Sequence, residues 1–200
     1  MASDQPVAER SWDDPLVGRW YSLVPVSPRY HSAIHALSHR EQNSFRWRYR
    51  GTIPPFPAFE QSIYAGVLIQ FVVVAKDDLE HVAGLVVAYS ASHQDGHCYM
   101  GAVMNPNEGA GTAEGIALFL RYVFLHWPFH KIYLETPEFN AVQFESAVKS
   151  GLIVEEGRLR NHVYYDDKHW DQIVYALYRE NAATFSSKFG GLFLNRGEKV

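Results

Sequence analysis

The chain has 200 residues, 47% of them hydrophobic and 20% charged, the composition of a soluble globular protein with one sizeable core. Its net charge of -4 excludes the basic surface that a nucleic-acid or membrane partner would require. The single cysteine, Cys98, excludes an internal disulfide and a multi-cysteine metal site, and its setting in GHCYMGAV marks it as a small buried residue rather than a nucleophile.

Residues 1–15, MASDQPVAERSWDDP, are polar and acidic and read as a loose arm before a domain spanning 16–185. They lack the cationic start and apolar stretch of a signal peptide. The longest uncharged apolar run, YAGVLIQFVVVA, is too short to span a bilayer, so a cytoplasmic protein is expected. GRWYSLVPVS (18–27) reads as the first strand. Ser27 followed by Pro28 then starts a helix that runs to about Ser38, with Tyr30, Ile34 and Leu37 on one face.

Residues 39–57 are rich in Arg, Pro and aromatic residues and read as an irregular loop, followed by a short helix in PAFEQSIYA. Two β-branched runs, LIQFVVVAKD and HVAGLVVAYSAS, join at KDDLEH as a hairpin, and HCYMGAVM is a further strand. From Thr112 to Trp127, Ile116, Phe119, Leu120, Val123, Phe124 and Trp127 recur at helical spacing. KIYLETP is a strand, NAVQFESAVKSG a helix closed by Gly151, and RNHVYYDD and DQIVYALYR are late strands. Single helices between strands late in the chain and a meander in its middle predict an α/β (α+β) fold on a mixed sheet.

Between strand 97–104 and the helix at 112 lies NPNEGAGTA. Its small residues let backbone N–H groups approach an anion at a helix N-terminus, where the dipole favours negative charge. The same stretch also suits a plain turn before a core helix. It is neither a Walker A loop nor a Rossmann fingerprint, because the Gly-Lys-Ser/Thr ending and the three-glycine spacing are missing.

The order and spacing of several segments resemble the GCN5-related N-acetyltransferase (GNAT) superfamily over roughly residues 18–182. The similarity is strongest to the branch of ribosomal-protein N-terminal acetyltransferases. EGAGTA resembles the family's acyl-CoA loop at Gly111 and Ala113. Asn140 in FNAVQFESAVKSGL resembles the asparagine opening the family's fourth helix, with Gly151 at the usual distance. EEGRLRNHVYYDDKHWDQIVYALYRE resembles the branch's ending, and SLVPVSPRYHSAIHALS its first strand and helix.

The resemblance implies a mostly antiparallel sheet of about seven strands with about four helices and a cleft between the fourth and fifth strands. It implies acetyl transfer from acetyl-CoA to a primary amine, a small molecule or a peptide, by direct attack in a ternary complex. The pyrophosphate would sit on the amides of Gly109, Ala110, Gly111, Thr112 and Ala113. Val103 and Met104 would bond the pantetheine and polarise the thioester carbonyl, and Asn140 would hold the cofactor arm. Of the strand residues facing the cleft, His97, Tyr99 and Glu135, the preferred catalytic pair is Glu135 and Tyr99.

Three positions depart from the family. Glu108 stands where Gln or Arg is usual, Ala147 where many members carry a tyrosine, and Gln143 where the branch often has a serine. They keep two alternatives open, a catalytically silent acyl-CoA-binding module and a transferase using another acyl donor.

His31, His35 and His39 repeat every four residues as one helical stripe, expected to face solvent or substrate. Glu41 is the one carboxylate that could complete the stripe, no HExxH glutamate is present, and no metal is expected. Arg46, Arg48 and Arg50, interleaved with Trp47 and Tyr49, are expected to pair with the protein's own carboxylates. Asp166 and Asp167 form a turn or attract a cationic amine. The tail 186–200 is too apolar for a free end, and is expected to pack on its own domain or on a second subunit of a homodimer.

Overall fold

The computed structural model describes residues 16–40 and 51–182. The expected arm, the three loop arginines and the 186–200 tail lie outside the described residues.

Seven strands form one sheet: β1 (Tyr21–Pro25), β2 (Val67–Ala75), β3 (Asp78–Ser92), β4 (His97–Met104), β5 (Lys131–Pro137), β6 (Val154–Tyr165) and β7 (Lys168–Tyr178). Their order is β1-β2-β3-β4-β5-β7-β6. Only the β4–β5 pair is parallel, the others being antiparallel. The helices are α1 (Pro28–Ser38), α2 (Phe56–Ser62), α3 (Thr112–His126) and α4 (Glu145–Lys149). The expected mixed, mostly antiparallel sheet flanked by helices is the one observed among the described residues. No helix among the described residues is long and apolar enough to cross a membrane.

Two cores, one on each face, hold the sheet. Alternation along β2 sends Phe71 and Val73 to the core beneath α3, and Val72 and Val74 to the core beneath α1 and α2. A strand covered on both faces needs apolar residues at every position, which is why FVVV is unbroken. On α3, Leu118, Phe119 and Val123 are almost wholly buried. Removing a side chain of this size from water contributes about 2 to 3 kcal/mol. Gly115 lets the same helix lie close on the sheet, since a Cβ there would come within 2.6 Å of Val73 Cγ1. α1 begins as its sequence requires, with extended Ser27 followed by Pro28, whose fixed φ suits the first turn.

Three boundaries differ from expectation. β1 starts at Tyr21, not residue 18, because the amides of Arg19, Trp20 and Tyr21 bond to the Glu114 carboxylate. The helix expected at 140–151 is a 3-10 segment (Glu138–Phe144) followed by the short α4. Ala141 and Phe144 pack on the core three residues apart, as in the tighter 3-10 period, and Ala147 packs there from α4. β6 begins at Val154 rather than 160. It is an edge strand paired only with β7, so its polar EEGRLR run carries no apolar alternation.

Candidate active site

The one parallel pair is also where the sheet opens. β4 and β5 pair from His97↔Lys131 to Met100↔Leu134 and no further, while β4 continues to Met104 against β3. Beyond Met100 the β5-facing edge of β4 therefore has no strand partner. Val103 and Met104 lie on this free stretch, with Val103 buried in the α1/α2 core and Met104 half-buried. Glu135 is the first residue of β5 past the last pair.

β4 leads into the 3-10 segment Pro106–Gly111 and then α3. Asn105 organises the entry, its Oδ1 accepting from Asn107 N–H (3.2 Å) and from Arg40 Nη1 (2.7 Å) at the end of α1. Gly109 has φ 67° and ψ -159°, backbone that a side chain would strain, and a Cβ there would meet nothing within 4 Å. Thr112 Oγ1 donates to its carbonyl (3.0 Å). Open glycine backbone thus precedes the first N–H groups of a fifteen-residue helix, which have no intrahelical acceptor.

Glu108 does not place its charge on that opening. Its carboxylate accepts from Tyr21 Oη (3.0 Å) and is bonded to His81 Nε2 (2.6 Å), so it turns back toward β1 and β3 and is 12% exposed. Burial first, then this bond, raises the Tyr21 phenol above the ordinary tyrosine range.

Across the opening, Asn140 is buried and its amide donates to Thr136 Oγ1 (2.8 Å), tying the 3-10 segment to the end of β5. Ala147 packs against the core.

On the sheet face toward α1, Tyr99 and Tyr133 lie side by side with ring centroids 5.1 Å apart. Burial first, then the Glu135 charge, raises the Tyr99 phenol. At neutral pH the phenol therefore keeps its proton. Lys131 Nζ bonds Glu156 (2.8 Å) and lies 4.6 Å from the Tyr133 ring centre. Burial works against its charge, but Glu156 and Tyr133 outweigh it and hold the ammonium above the usual lysine range. Glu135 is exposed and makes no hydrogen bond or ion pair among the described residues.

No family model and no curated protein sequence matches the chain significantly. Its structure, however, closely follows several solved ones. Spermidine N-acetyltransferase from Vibrio cholerae, in complex with CoA and spermine, is 20% identical with a TM-score of 0.69, over 82% of this chain and 98% of that one. A GCN5-related N-acetyltransferase from Brucella melitensis is 19% identical with a TM-score of 0.71, over 89% and 84%. A probable GNAT-family acetyltransferase from Chromobacterium violaceum is 20% identical with a TM-score of 0.67, over 83% and 86%.

The chain has the GNAT fold.

Within that fold the histidine stripe is not a solvated surface. His31 is buried, with Nδ1 bonded to Glu60 (2.9 Å) and Nε2 to Tyr64 Oη (3.1 Å). His35 Nε2 bonds the Pro54 carbonyl (2.9 Å), and its ring packs on Phe56 and Phe59. The stripe joins α1 to α2, because an imidazole offers both ring area and two polar atoms to a neighbouring helix. Burial first, then His35, lowers the His39 pKa. Among the described residues no group of three or more His, Cys, Asp or Glu is placed to hold a metal. Asp166 and Asp167 form the two-residue turn between β6 and β7, both at positive φ.

The residue that sequence reasoning missed is Glu114. It is fully buried in the first turn of α3, and its two oxygens accept from Arg19, Trp20 and Tyr21 N–H at 2.6, 2.8 and 2.9 Å. It anchors the start of the GNAT fold's third helix to the start of β1. Gly18 makes room for it, since a Cβ there would come within 2.6 Å of the Glu114 carboxyl carbon.

Proposed function

We propose that this chain moves an acetyl group from acetyl-CoA to a primary amine by direct attack in a ternary complex. The observation that carries this reading is the parting of β4 from β5 after Met100, on the strand that leads into the glycine loop and α3. CoA and spermine in the Vibrio cholerae neighbour support an acyl-CoA donor and a small amine acceptor.

In this reading, amides of residues 109–113 hold the pyrophosphate at the positive end of α3. The pantetheine lies along the free edge of β4, and an amide at Val103 or Met104 donates to the thioester oxygen as it gains charge. Asn140 steadies the cofactor arm. Glu135 takes a proton from the acceptor ammonium, the freed amine forms the C–N bond, and the C–S bond breaks. Tyr99 hands a proton to the departing thiolate. Most of the acceleration comes from holding amine and thioester together.

A second reading, a catalytically silent acyl-CoA-binding module, is favoured by one observation. Ala147 is apolar and core-packed where many family members carry the protonating tyrosine. Calorimetry with acetyl-CoA, followed by thiol release with an amine panel, separates the two. Micromolar binding that disappears in Gly111→Trp and thiol release with an amine are the expected results. Binding without thiol release from any acyl-CoA donor would favour the silent module, and no binding by the folded protein would overturn both readings.

A further inference from the structure

Three neighbouring strands carry a tyrosine at the same level of the sheet. Tyr89 of β3 is paired with Tyr99 of β4, and Tyr99 with Tyr133 of β5. Their rings form a tilted row, with centroids 5.8 Å apart for Tyr89–Tyr99 and 5.1 Å for Tyr99–Tyr133, at 34° and 33° between planes. His97 stands edge-on to Tyr133 at 5.3 Å. All four side chains are half-buried. Among the described residues the α1/α2 core contains no residue of β5, β6 or β7, and aromatic rings line this part of the face.

The row ends at the opening. Two residues beyond Tyr99 on the same face is Gly101, where a Cβ would come within 3.2 Å of Val87 Cγ1 and 3.7 Å of Tyr89 Cε1. Strand alternation places Glu135 on the same face as Tyr133, on the opposite bank of the opening from Gly101. The floor is thus bare backbone at one end of the aromatic row, with a carboxylate across from it.

The charges decide what fits. Glu156 is held by Lys131 and by the Tyr178 hydroxyl. Arg158 binds Glu155 and Glu138 at 3.0 Å each and approaches Asp171 at 3.6 Å. Arg158 is one cation shared by three acids, and its pairing with Ile173 puts it on the α3 face of the sheet, opposite Glu135. Glu135 alone of this set is exposed without a hydrogen bond or ion pair among the described residues. Glu135 is an open carboxylate on the face of the tyrosine row and suits one ammonium. Among the described residues, Lys131, the cation beside Tyr133, is already bonded to Glu156.

We infer that the acceptor is an arylalkyl monoamine, its ring laid against the Tyr89–Tyr99–Tyr133 row and its ammonium on Glu135. This rests on the acyl-transfer reading above and adds the substrate class. The atoms balance: the ammonium gives one proton to Glu135, the neutral nitrogen bonds the acetyl carbon, and the C–S electron pair leaves on sulfur. The thiolate takes up a proton and the attacking nitrogen loses its second. The sum is an amide, CoA thiol and one released proton.

The test uses phenethylamine, spermine and a peptide with a free N-terminus as acceptors on the full chain with acetyl-CoA. Phenethylamine is expected to exceed the other two in kcat/KM by about tenfold or more, the value of one good aromatic contact. Tyr133→Leu should raise its KM by about tenfold, Tyr133→Phe should restore it, and acetyl-CoA affinity should stay unchanged in both. Glu135→Gln should lower kcat/KM by about a hundredfold or more. Preference for spermine or the peptide, or an unchanged KM in folded Tyr133→Leu, would overturn the inference. Calorimetric titration of phenethylamine without acetyl-CoA separates the layers. Amine binding lost in Tyr133→Leu, in a protein that ignores acetyl-CoA, would support the patch and overturn the transferase reading. No amine binding with or without acetyl-CoA would overturn the patch itself.

Discussion

Glu114 is a carboxylate shut away from water that satisfies three backbone N–H groups of the chain leading into β1. Replacing it with Ala would leave those donors buried and partnerless, and should destabilise the protein by about 3 kcal/mol or more. Glu114→Gln, which keeps one acceptor oxygen, should lose less; urea midpoints of both variants would check the order. Cys98 makes a second prediction at this scale. It is fully buried, and burial pushes its thiol up to about 12. A disulfide-exchange reagent at pH 8 should leave it untouched in the native protein and label it once unfolded. Its folded pKa is raised, so the native state holds the proton longer than the unfolded state. Its contribution to stability is therefore complete below the ordinary thiol range and falls as pH rises from that range toward 12. The bland reading of Cys98 was legible from its strand-like neighbours. Glu114 was not, because its partners lie more than ninety positions away.

Among the elements, α3 was the most legible, since its apolar spacing shows which face enters the core. What secures its far end was hidden. Arg179, just past β7, donates to the carbonyls of Phe124 (2.7 Å), Trp127 (2.6 Å) and Phe129 (2.7 Å). A cation there meets both the orphan carbonyls and the negative end of the helix dipole. Arg179→Ala should cost about 2 to 4 kcal/mol, and Arg179→Lys should recover only part, because an ammonium lacks the planar fork. Thermal unfolding of the two variants would test this. Hydrogen exchange should show faster opening at 120–127 than at 112–116 in Arg179→Ala, the damage being local to that end. The 3-10 turn at 138–144 escaped notice for a related reason. Its Ala-Val-Gln-Phe composition suits either helix type, and the core contacts of Ala141 and Phe144, three apart, fit the tighter one.

For the whole molecule, the two cores grip the covered parts of one sheet, while the β4–β5 opening is left with free backbone. A ligand binding there binds only the native state. Acetyl-CoA at about a hundred times its Kd should therefore stabilise the protein by about 2.7 kcal/mol, and acetate should do nothing. A melting curve with each would decide, and an equal effect from both would count against the site. Local pattern was enough to determine the strands with apolar alternation, the α1 start at Pro28, the glycine turn before α3 and the mixed sheet, because each rests on neighbours within a few positions. Tyr99 and Glu135 were legible as cleft residues only through the family resemblance. Tertiary structure alone decided that β6 begins at Val154, that the histidine stripe is a helix contact and that Glu108 turns toward His81. It also decided that three tyrosines form a row ending at a free carboxylate. Each of these depends on which distant side chain arrives as a partner, and a buried polar or aromatic group takes its role from that partner.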